Sequence, residues 1–367
     1  MTRHLVGLID GTMVSASETA PYQSYSNVFE LSCLLQLSSE GEDGGEQVVF
    51  YTSGISSQPD TFNPINLITG NSIKSQIIDQ YTNICANFDF ESAEKGMPDK
   101  IYLFGFSRGA MAVRALAGLI AEFGLLRPDD VRDLPRVLNA WDRSIGKGNL
   151  SDQVKLMNAK VEFIGLFDSV MGGFEWMRLF NPIKFKKKTL PARCRNGVQI
   201  LAIDENRNLF KHKQWHGVES RRQGANVGEH CLRQVWMPGV HSDIGGTGNP
   251  LWGRAALLAM IHYIDRLTPL KLNRTKINEK ETKFRIGVND GNFIIKPHRG
   301  LFAWNRRKPM NVAEACERFH PICKQVVEAN YGNAEAYPWQ ERIYQNAFAE
   351  VCEDPELNVY FDSIIVD

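Results

Sequence analysis

The sequence predicts an α/β fold in which a mostly parallel central sheet carries helices on both faces. Short apolar runs of strand length alternate along the chain with longer segments whose apolar residues recur every three or four positions. No internal repeat or low-complexity segment interrupts this alternation. Because such an alternation is typical of strands joined by helical crossovers, the sheet is expected to be parallel and buried on both sides.

The predicted elements follow one another in a regular order. Buried strands are expected where short apolar runs occur, at residues 3–9, 47–51, 100–104, 161–167, 197–203 and 232–237. Helices are expected where apolar residues recur on one face, at residues 26–37, 73–90, 110–120, 134–145 and 254–264. Ser26 or Asn27 caps the first helix, and Pro135 suits the first turn of the fourth. Residues 38–45 are expected to form a polar, acidic loop.

Composition narrows the classes of protein without identifying one. The 367 residues include 42 Lys and Arg and 42 Asp and Glu, and this zero net charge gives no indication of nucleic-acid binding. The 7 cysteines are scattered without a C-x-x-C pair, which indicates reduced thiols and neither a disulfide framework nor a zinc site. The amino-terminal apolar run is too short for a signal peptide, and no stretch has the length of a membrane span. The chain is therefore expected in the cytoplasm when it is synthesised.

Ser107 lies in the sequence Gly-Phe-Ser-Arg-Gly, between a predicted strand and a predicted helix. A nucleophile elbow has this layout, because its tight turn strains the serine backbone and needs small flanking residues. The turn also places the N–H of Arg108 at a helix N-terminus, where it can stabilise an oxyanion. Ser107 is therefore the candidate nucleophile. The alternative is an ordinary glycine-rich turn between a strand and a helix.

Two further strand ends carry an acid and a base in the chain order of a Ser-Asp-His triad. Asp168 directly follows the predicted strand 161–167, and His241 follows strand 232–237 in a glycine-rich loop. Reactive groups in open α/β sheets gather at the carboxyl ends of strands. Among the 8 histidines, only His241 combines a strand end with such a loop. Asp243 either steadies the histidine loop or replaces Asp168 as the acid, although its position gives a strained reach to the imidazole.

The turn after the first predicted strand has the sequence Asp10-Gly11-Thr12. Acyl transfer needs a second oxyanion donor from a strand-end loop other than the elbow. The N–H of Gly11 or of Thr12 is the candidate donor, and Asp10 is expected to orient the loop through hydrogen bonds. The alternative is a simple Asp-Gly turn. Farther along, Asp204 and Glu205 are expected to form a buried structural ion pair with Arg207 near the sheet end.

A segment after Asp168 combines aromatic with basic side chains, a combination that suits the interface of a lipid bilayer. Its candidate membrane contacts are Trp176, Phe180, Lys184, Lys186, Lys187 and Lys188. A lid at residues 171–190 is one interpretation, and a buried loop with a solvated lysine tip is the other. The sequence assigns no role to a second aromatic and basic region that contains Trp252, Phe302, Trp304, Arg306 and Arg307.

Seven short blocks occur in order along roughly two thirds of the chain. They are Ile-Asp-Gly-Thr at residues 9–12, Ser-Asn-Val at 26–28, Leu-Phe-Gly-Phe-Ser-Arg-Gly-Ala at 103–110, Arg-Ala-Leu-Ala-Gly at 114–118, Gly-Leu-Phe-Asp-Ser-Val at 165–170, Ala-Ile-Asp-Glu-Asn-Arg at 202–207 and Pro-Gly-Val-His-Ser-Asp-Ile-Gly-Gly at 238–246. This series resembles the α/β-hydrolase-like family that supplies the catalytic domain of type VI secretion phospholipase effectors. An ordered series of this kind is much more specific than the serine motif alone.

The resemblance implies an α/β-hydrolase-like fold with a triad of Ser107, Asp168 and His241. It implies a serine carboxylic-ester hydrolase, a phospholipase of the A1 or A2 type acting at a membrane surface, without metal or organic cofactor. A secreted antibacterial effector of this kind has a secretion apparatus and an immunity protein as partners and needs no cleaved signal. Residues 1–265 are expected to form the catalytic domain, with 266–367 as an extension packed on it. The alternatives are a soluble esterase or thioesterase and an inactive interaction domain.

Overall fold

The computed structural model of this chain describes residues 2–11, 25–36, 45–54, 71–143, 145, 150, 154–171, 188–218, 231–289, 293, 295, 307, 316–323 and 354–366. All structural statements refer to these residues. They include a seven-stranded sheet in the order β2-β1-β3-β6-β7-β8-β9. Its strands are β1 (His4–Ile9), β2 (Gln47–Thr52), β3 (Lys100–Phe106), β6 (Val161–Phe167), β7 (Cys194–Ala202), β8 (Cys231–Met237) and β9 (Glu317–Phe319).

Every pair of neighbouring strands in this sheet is parallel. A separate antiparallel pair is formed by β4 (Leu125–Leu126) and β5 (Leu156–Met157). The described α-helices are α1 (Asn27–Leu34), α2 (Asn71–Asn87), α3 (Phe90–Glu94), α4 (Ser107–Phe123), α5 (Leu134–Asp142), α6 (His241–Ile244), α7 (Pro250–Leu267), α8 (Arg274–Asn289) and α9 (Pro355–Val366). The predicted fold class is thereby confirmed.

Apolar side chains of the strands alternate between the two faces of the sheet, as the pleat requires. In β1, Val6 and Leu8 belong to one buried cluster, whereas Leu5 and Ile9 belong to another. The first cluster includes residues of α1, α7, α8 and α9, and the second includes residues of α2, α4 and α5. Helices therefore cover both faces, and the apolar core has two layers with the sheet between them.

The described parts of residues 266–367 contact both the sheet and its helices. β9 extends the sheet by pairing with β8, and Phe319 lies opposite Trp236 in this pair. Phe284 of α8 and Phe361 of α9 are buried in the same apolar cluster as β8. The division of the chain at residue 265 into a catalytic domain and an extension stays a prediction.

The element boundaries differ from the expected ones in an informative way. The helix expected at 73–90 is α2, which ends at Asn87. The Asp89 carboxylate then accepts a hydrogen bond from the Ser92 N–H (2.9 Å) and caps a new helix, α3, that begins at Phe90. β9 was not expected, because three residues are too few for a periodic pattern and the strand depends on pairing with β8. Most of the expected acidic loop at 38–45 lies outside the described residues.

Candidate active site

Ser107 lies at the junction between β3 and α4 with a backbone φ of +58°. A non-glycine residue in this left-handed region is strained, which is the geometry of a nucleophile elbow. The turn also requires Gly109, because a Cβ atom there would lie 2.4 Å from the backbone oxygens of Ile9 and Asp10. At Gly105, a Cβ atom would lie 2.8 Å from the backbone of Ala110. The two glycines thus allow α4 to start directly against β1 and β3.

Ser107, His241 and Asp168 form a continuous chain of hydrogen bonds. His241 Nε2 lies 2.8 Å from Ser107 Oγ, and His241 Nδ1 lies 2.6 Å from Asp168 Oδ2. The three residues follow β3, β8 and β6, so parallel pairing brings the three strand ends to one edge of the sheet. All three are buried, with 7%, 5% and 0% of the residue surface exposed, respectively. An imidazole protonated on Nδ1 donates to Asp168 and accepts from the serine hydroxyl.

The His241 side chain is held between aromatic rings. Phe106 stacks on the imidazole at a centroid distance of 4.8 Å, and Phe210 meets it edge-on at 4.9 Å. The His241 N–H donates to Glu205 Oε2 at 3.2 Å. Glu205 in turn binds the Arg207 guanidinium through two hydrogen bonds of 2.8 and 2.7 Å. The predicted ion pair therefore forms with Glu205, whereas Asp204 accepts the Gly239 N–H at 2.8 Å. Packing and this charged pair together orient the histidine backbone and ring.

Asp168 has partners on both carboxylate oxygens. Oδ2 faces His241, while Oδ1 accepts the Ala202 N–H (3.1 Å) and is ion-paired with the Arg307 guanidinium. Burial by itself raises the pKa of Asp168, but the charge of Arg307 and the hydrogen bond with His241 outweigh it, so the pKa lies well below its ordinary value. Asp168 therefore stays ionised at neutral pH. The sequence had assigned no role to Arg307.

The Asp243 carboxylate binds backbone N–H groups. Its Oδ2 accepts the Val240 N–H at 2.9 Å, and its Oδ1 accepts the Asn249 N–H at 2.8 Å. Burial raises the pKa of Asp243 above the ordinary value, and these two hydrogen bonds lower it only in part. Of the two carboxylates considered as the acid, the structure places Asp168 beside the imidazole and Asp243 on the backbone of the histidine loop.

Asp10 is the centre of a buried hydrogen-bond cluster at the end of β1. Its Oδ2 accepts the hydroxyls of Ser26 (2.5 Å) and Tyr51 (2.8 Å), and its Oδ1 accepts the Gly11 N–H (2.7 Å). Burial raises the pKa of Asp10 to about 6 although these hydrogen bonds lower it. Gly11 lies against the elbow, since a Cβ atom there would lie 3.1 Å from the Cβ of Ser107. Its N–H is nevertheless directed at Asp10, and Thr12 lies outside the described residues.

Arg108 follows the serine in the first turn of α4, the end of a helix at which backbone N–H groups point outward. Its own side chain is buried, and burial lowers the pKa of the guanidinium to about 10.

Among the residues of the predicted lid, Trp176, Phe180, Lys184, Lys186 and Lys187 lie outside the described residues. Lys188 is exposed, and its carbonyl accepts the His216 N–H at 2.8 Å. The lid stays a prediction.

In the ranges that the structure describes, no helix is both long and apolar enough to cross a membrane. Within the same ranges, no group of three or more His, Cys, Asp or Glu side chains is placed to hold a metal ion.

A mostly parallel sheet with a hydrogen-bonded serine, histidine and aspartate at its carboxyl edge defines an α/β-hydrolase-like protein. Residues 3–262 match the family model described as the T6SS phospholipase effector Tle1-like catalytic domain. This match covers well over half of the 367 residues, so the chain belongs to that family. The predicted family is thereby confirmed.

The chain is similar in sequence to a yeast protein and in structure to two solved proteins. Uncharacterized protein YEL023C of Saccharomyces cerevisiae is 28% identical over an alignment of 236 residues that covers 57% of this chain and 32% of the yeast protein. An uncharacterized protein from Pseudomonas aeruginosa has a TM-score of 0.47 at 16% identity, over 99% of this chain and 66% of that one. The Tle1 effector bound to the VgrG spike of the type 6 secretion system has a TM-score of 0.37 at 22% identity, over 68% and 52%. The chain thus spans about a third of the length of the yeast protein.

Proposed function

We propose that this chain is a serine carboxylic-ester hydrolase that cleaves membrane glycerophospholipids, as a phospholipase of the A1 or A2 type. The proposal depends on one observation above all. The hydrogen-bonded chain of Ser107, His241 and Asp168 lies at the carboxyl edge of the sheet in a member of a phospholipase effector family. The description of the family supports the substrate class, and the geometry supports the nucleophile.

In the proposed reaction, Ser107 Oγ attacks the carbonyl carbon of the ester while His241 Nε2 takes the hydroxyl proton. The 2.8 Å distance between these two atoms supports a direct proton transfer. The bond between the carbonyl carbon and the alcohol oxygen then breaks, and His241 returns the proton to the leaving alcohol, a lysophospholipid. Water hydrolyses the acyl-serine by the same proton route and releases the fatty acid. Asp168 stabilises the imidazolium in both steps.

The negative charge on the carbonyl oxygen needs donors that are in place before the reaction. We assign one donor to the Arg108 N–H, in the first turn of α4 next to the serine. The second donor is proposed in the turn after β1, where Gly11 lies directly against Ser107. Since the Gly11 N–H is bound to Asp10, Thr12 is the other candidate in that turn.

The family description also supports a delivery route. Its members are described as effectors of the type VI secretion system. We extend the proposal to export by that system, with a component of the secretion apparatus and an immunity protein as partners. The substrate is a membrane surface in this proposal.

Replacement of the nucleophile tests the proposal. We expect S107A and H241A to lower hydrolysis of phospholipid liposomes about a thousandfold or more, because only binding and oxyanion stabilisation remain. S363A, which changes an exposed serine on α9, is the matched control and should keep full activity. The products are separated by mass spectrometry as lysophospholipid and fatty acid, with acyl chains labelled by position. If S107A keeps a tenth of the activity, Ser107 is not the nucleophile.

A second substrate in the same assay distinguishes the alternatives. Cleavage of a soluble short-chain ester without cleavage of liposomes would identify a soluble esterase. Absence of both activities, together with no reaction of Ser107 with a fluorophosphonate, would identify an inactive interaction domain. Cleavage of liposomes that depends on Ser107 supports the phospholipase.

A further inference from the structure

Arg307 lies beyond residues 3–262, the part of the chain that matches the family model, yet its side chain reaches the candidate site. The guanidinium is ion-paired with Asp168 Oδ1 and donates to the carbonyl oxygens of Ala202 (3.1 Å) and Phe210 (2.5 Å). Only 5% of the Arg307 surface is exposed. A buried guanidinium with three acceptors around it has one defined orientation, because its donors form a rigid planar fork.

The contact concerns the carboxylate that binds the candidate base. The two oxygens of Asp168 divide their partners, since Oδ2 faces the His241 imidazole and Oδ1 faces Arg307 and the Ala202 N–H. A fully buried carboxylate is stable in its ionised form only when charges and hydrogen bonds replace its lost hydration. When the imidazole is neutral, the Arg307 guanidinium is still a fully charged partner for the Asp168 carboxylate.

Arg307 also binds the backbone of Phe210, whose ring packs against His241. Its bond to the Phe210 carbonyl holds the residue whose ring meets the His241 imidazole edge-on. Its bond to the Ala202 carbonyl lies at the end of β7, beside the strand end that carries Asp168. One side chain therefore orients the acid and supports the packing of the base.

We propose that Arg307 is a positioning residue for the His241–Asp168 pair, so that the region after the family-matched segment completes the site. This inference rests on the proposed function, because it assumes that His241 acts as the base for Ser107. Arg307 contacts no reacting atom. It acts through Asp168, and its removal changes the protonation and the orientation of the pair.

The expected change in pH dependence has a definite sign. Loss of the Arg307 charge makes the Asp168 carboxylate, and with it the hydrogen-bonded pair, easier to protonate, so the acidic limb of the pH–activity profile moves to higher pH. Among the described residues, the other charged or titratable groups near the pair are Glu205, Arg207 and His212. Asp204 and Asp243 bind backbone N–H groups of the histidine loop. Burial, together with a smaller contribution from the charge of Arg307, lowers the pKa of His212 to about 4, so His212 is neutral in the unaltered chain between pH 5 and pH 9.

The experiment uses the full chain and measures the rate at which a fluorophosphonate labels Ser107 between pH 5 and pH 9. We expect R307M to move the acidic limb upward by about one unit, the low end for loss of a close opposite charge. At pH 7 the labelling rate should fall about ten- to a hundredfold, as expected for misplacement of a catalytic group. With a short-chain ester, kcat should fall while KM is unchanged, because Arg307 does not contact substrate. R307K keeps the charge and should restore the position of the limb.

Matched variants separate this role from a merely structural one. R233M removes a half-buried arginine whose Nε lies 3.8 Å from Asp354 Oδ2, and it should leave the limb in place. In a D168N background, R307M should cause little further loss, because its effect passes through Asp168. The inference is overturned if R307M does not move the acidic limb, or if R307M lowers the labelling rate equally with and without D168N. In both cases Ser107 of the unaltered chain is still labelled, so the proposed function is not affected. If the unaltered chain is not labelled at all, the proposed function itself fails.

Discussion

Three buried carboxylates near the candidate site have different pKa values because their partners differ. Asp168 faces a guanidinium and an imidazole, and its pKa is lowered despite complete burial. Asp10 accepts hydrogen bonds from two hydroxyls and one N–H, and its pKa is raised to about 6. Among the described residues, the partners of the Asp243 carboxylate are backbone N–H groups, and its pKa is raised as well. At the scale of single residues, a full positive charge is what offsets the desolvation of a buried carboxylate.

The two candidate acids can be separated by the same substitution at each position. We expect D168N to lower ester hydrolysis a hundredfold or more, since an amide stabilises the wrong imidazole tautomer, as in other serine triads. D243N should act mainly on stability, by about 1–3 kcal/mol, because it disturbs one of two partly buried hydrogen bonds with backbone N–H groups. Activity per folded molecule and urea unfolding are measured for both variants. The reverse ranking of activities would make Asp243 the acid.

Asp10 predicts a pH-dependent contribution to stability. Its pKa is higher in the folded chain than the ordinary value of 3.8, so its stabilising contribution is complete below pH 3.8 and is lost as the pH rises through about 6. At neutral pH the ionised carboxylate therefore costs about 3 kcal/mol relative to its protonated form. We expect D10N, compared with the unaltered chain, to gain free energy of unfolding by up to this amount between pH 4 and pH 7. Urea unfolding at four pH values measures the difference, and curves that stay parallel contradict the prediction.

At the scale of elements, the position of the serine depends on how closely α4 approaches β1. Gly109 of α4 lies where any side chain would meet the backbone of Ile9 and Asp10. Gly118 is also in α4, but a Cβ atom there would meet nothing within 4 Å among the described residues. The two glycines therefore have different roles in one helix, because only the first is required by packing.

The same substitution at both glycines tests this difference. We expect G118A to raise the free energy of unfolding by about 0.5–1 kcal/mol, since alanine favours the helix over glycine. G109A should lower it by about 1–3 kcal/mol, because the added methyl group forces α4 away from β1. Fluorophosphonate labelling of Ser107 should fall with G109A and stay unchanged with G118A. Equal effects at the two positions would show that the close approach is not required.

At the scale of the whole molecule, the described parts of residues 266–367 share the apolar core of the sheet. Phe361 of α9 packs edge-on against Phe284 of α8 at 5.4 Å and against His320, next to β9, at 4.3 Å. Helices from the two ends of the described chain, α1 and α9, contribute residues to the same cluster. Such shared burial predicts that the region after residue 265 unfolds together with the sheet.

Two neighbouring positions on α9 test this cooperativity. Phe361 is 2% exposed, whereas Val359 is 73% exposed. We expect F361A to lower the free energy of unfolding by about 3–5 kcal/mol and V359A to change it by less than about 0.5 kcal/mol. Tryptophan fluorescence, which reports on buried Trp215 and Trp236, and far-UV circular dichroism should give one coincident urea transition. An early transition without a change in tryptophan fluorescence would show that α9 unfolds independently.

The sequence by itself determined the fold class and the positions of Ser107, Asp168 and His241 at strand ends. This was possible because these signals are local. A short apolar run followed by a glycine-flanked serine specifies strand, turn and helix within a few residues. The carboxyl ends of parallel strands meet at one edge, so three separate strand ends converge without further information. The roles of the three residues in catalysis stay predictions until the variants are measured.

Only the tertiary structure decided which groups surround the acid and the turn after β1. Arg307 is 139 residues from Asp168, and Tyr51 is 41 residues from Asp10, so no local pattern joins them. The same holds for β9, whose three residues form a strand only because β8 offers them a partner. Contacts of this kind depend on the path of the chain through space, whereas periodicity and turn chemistry report only on neighbours in sequence.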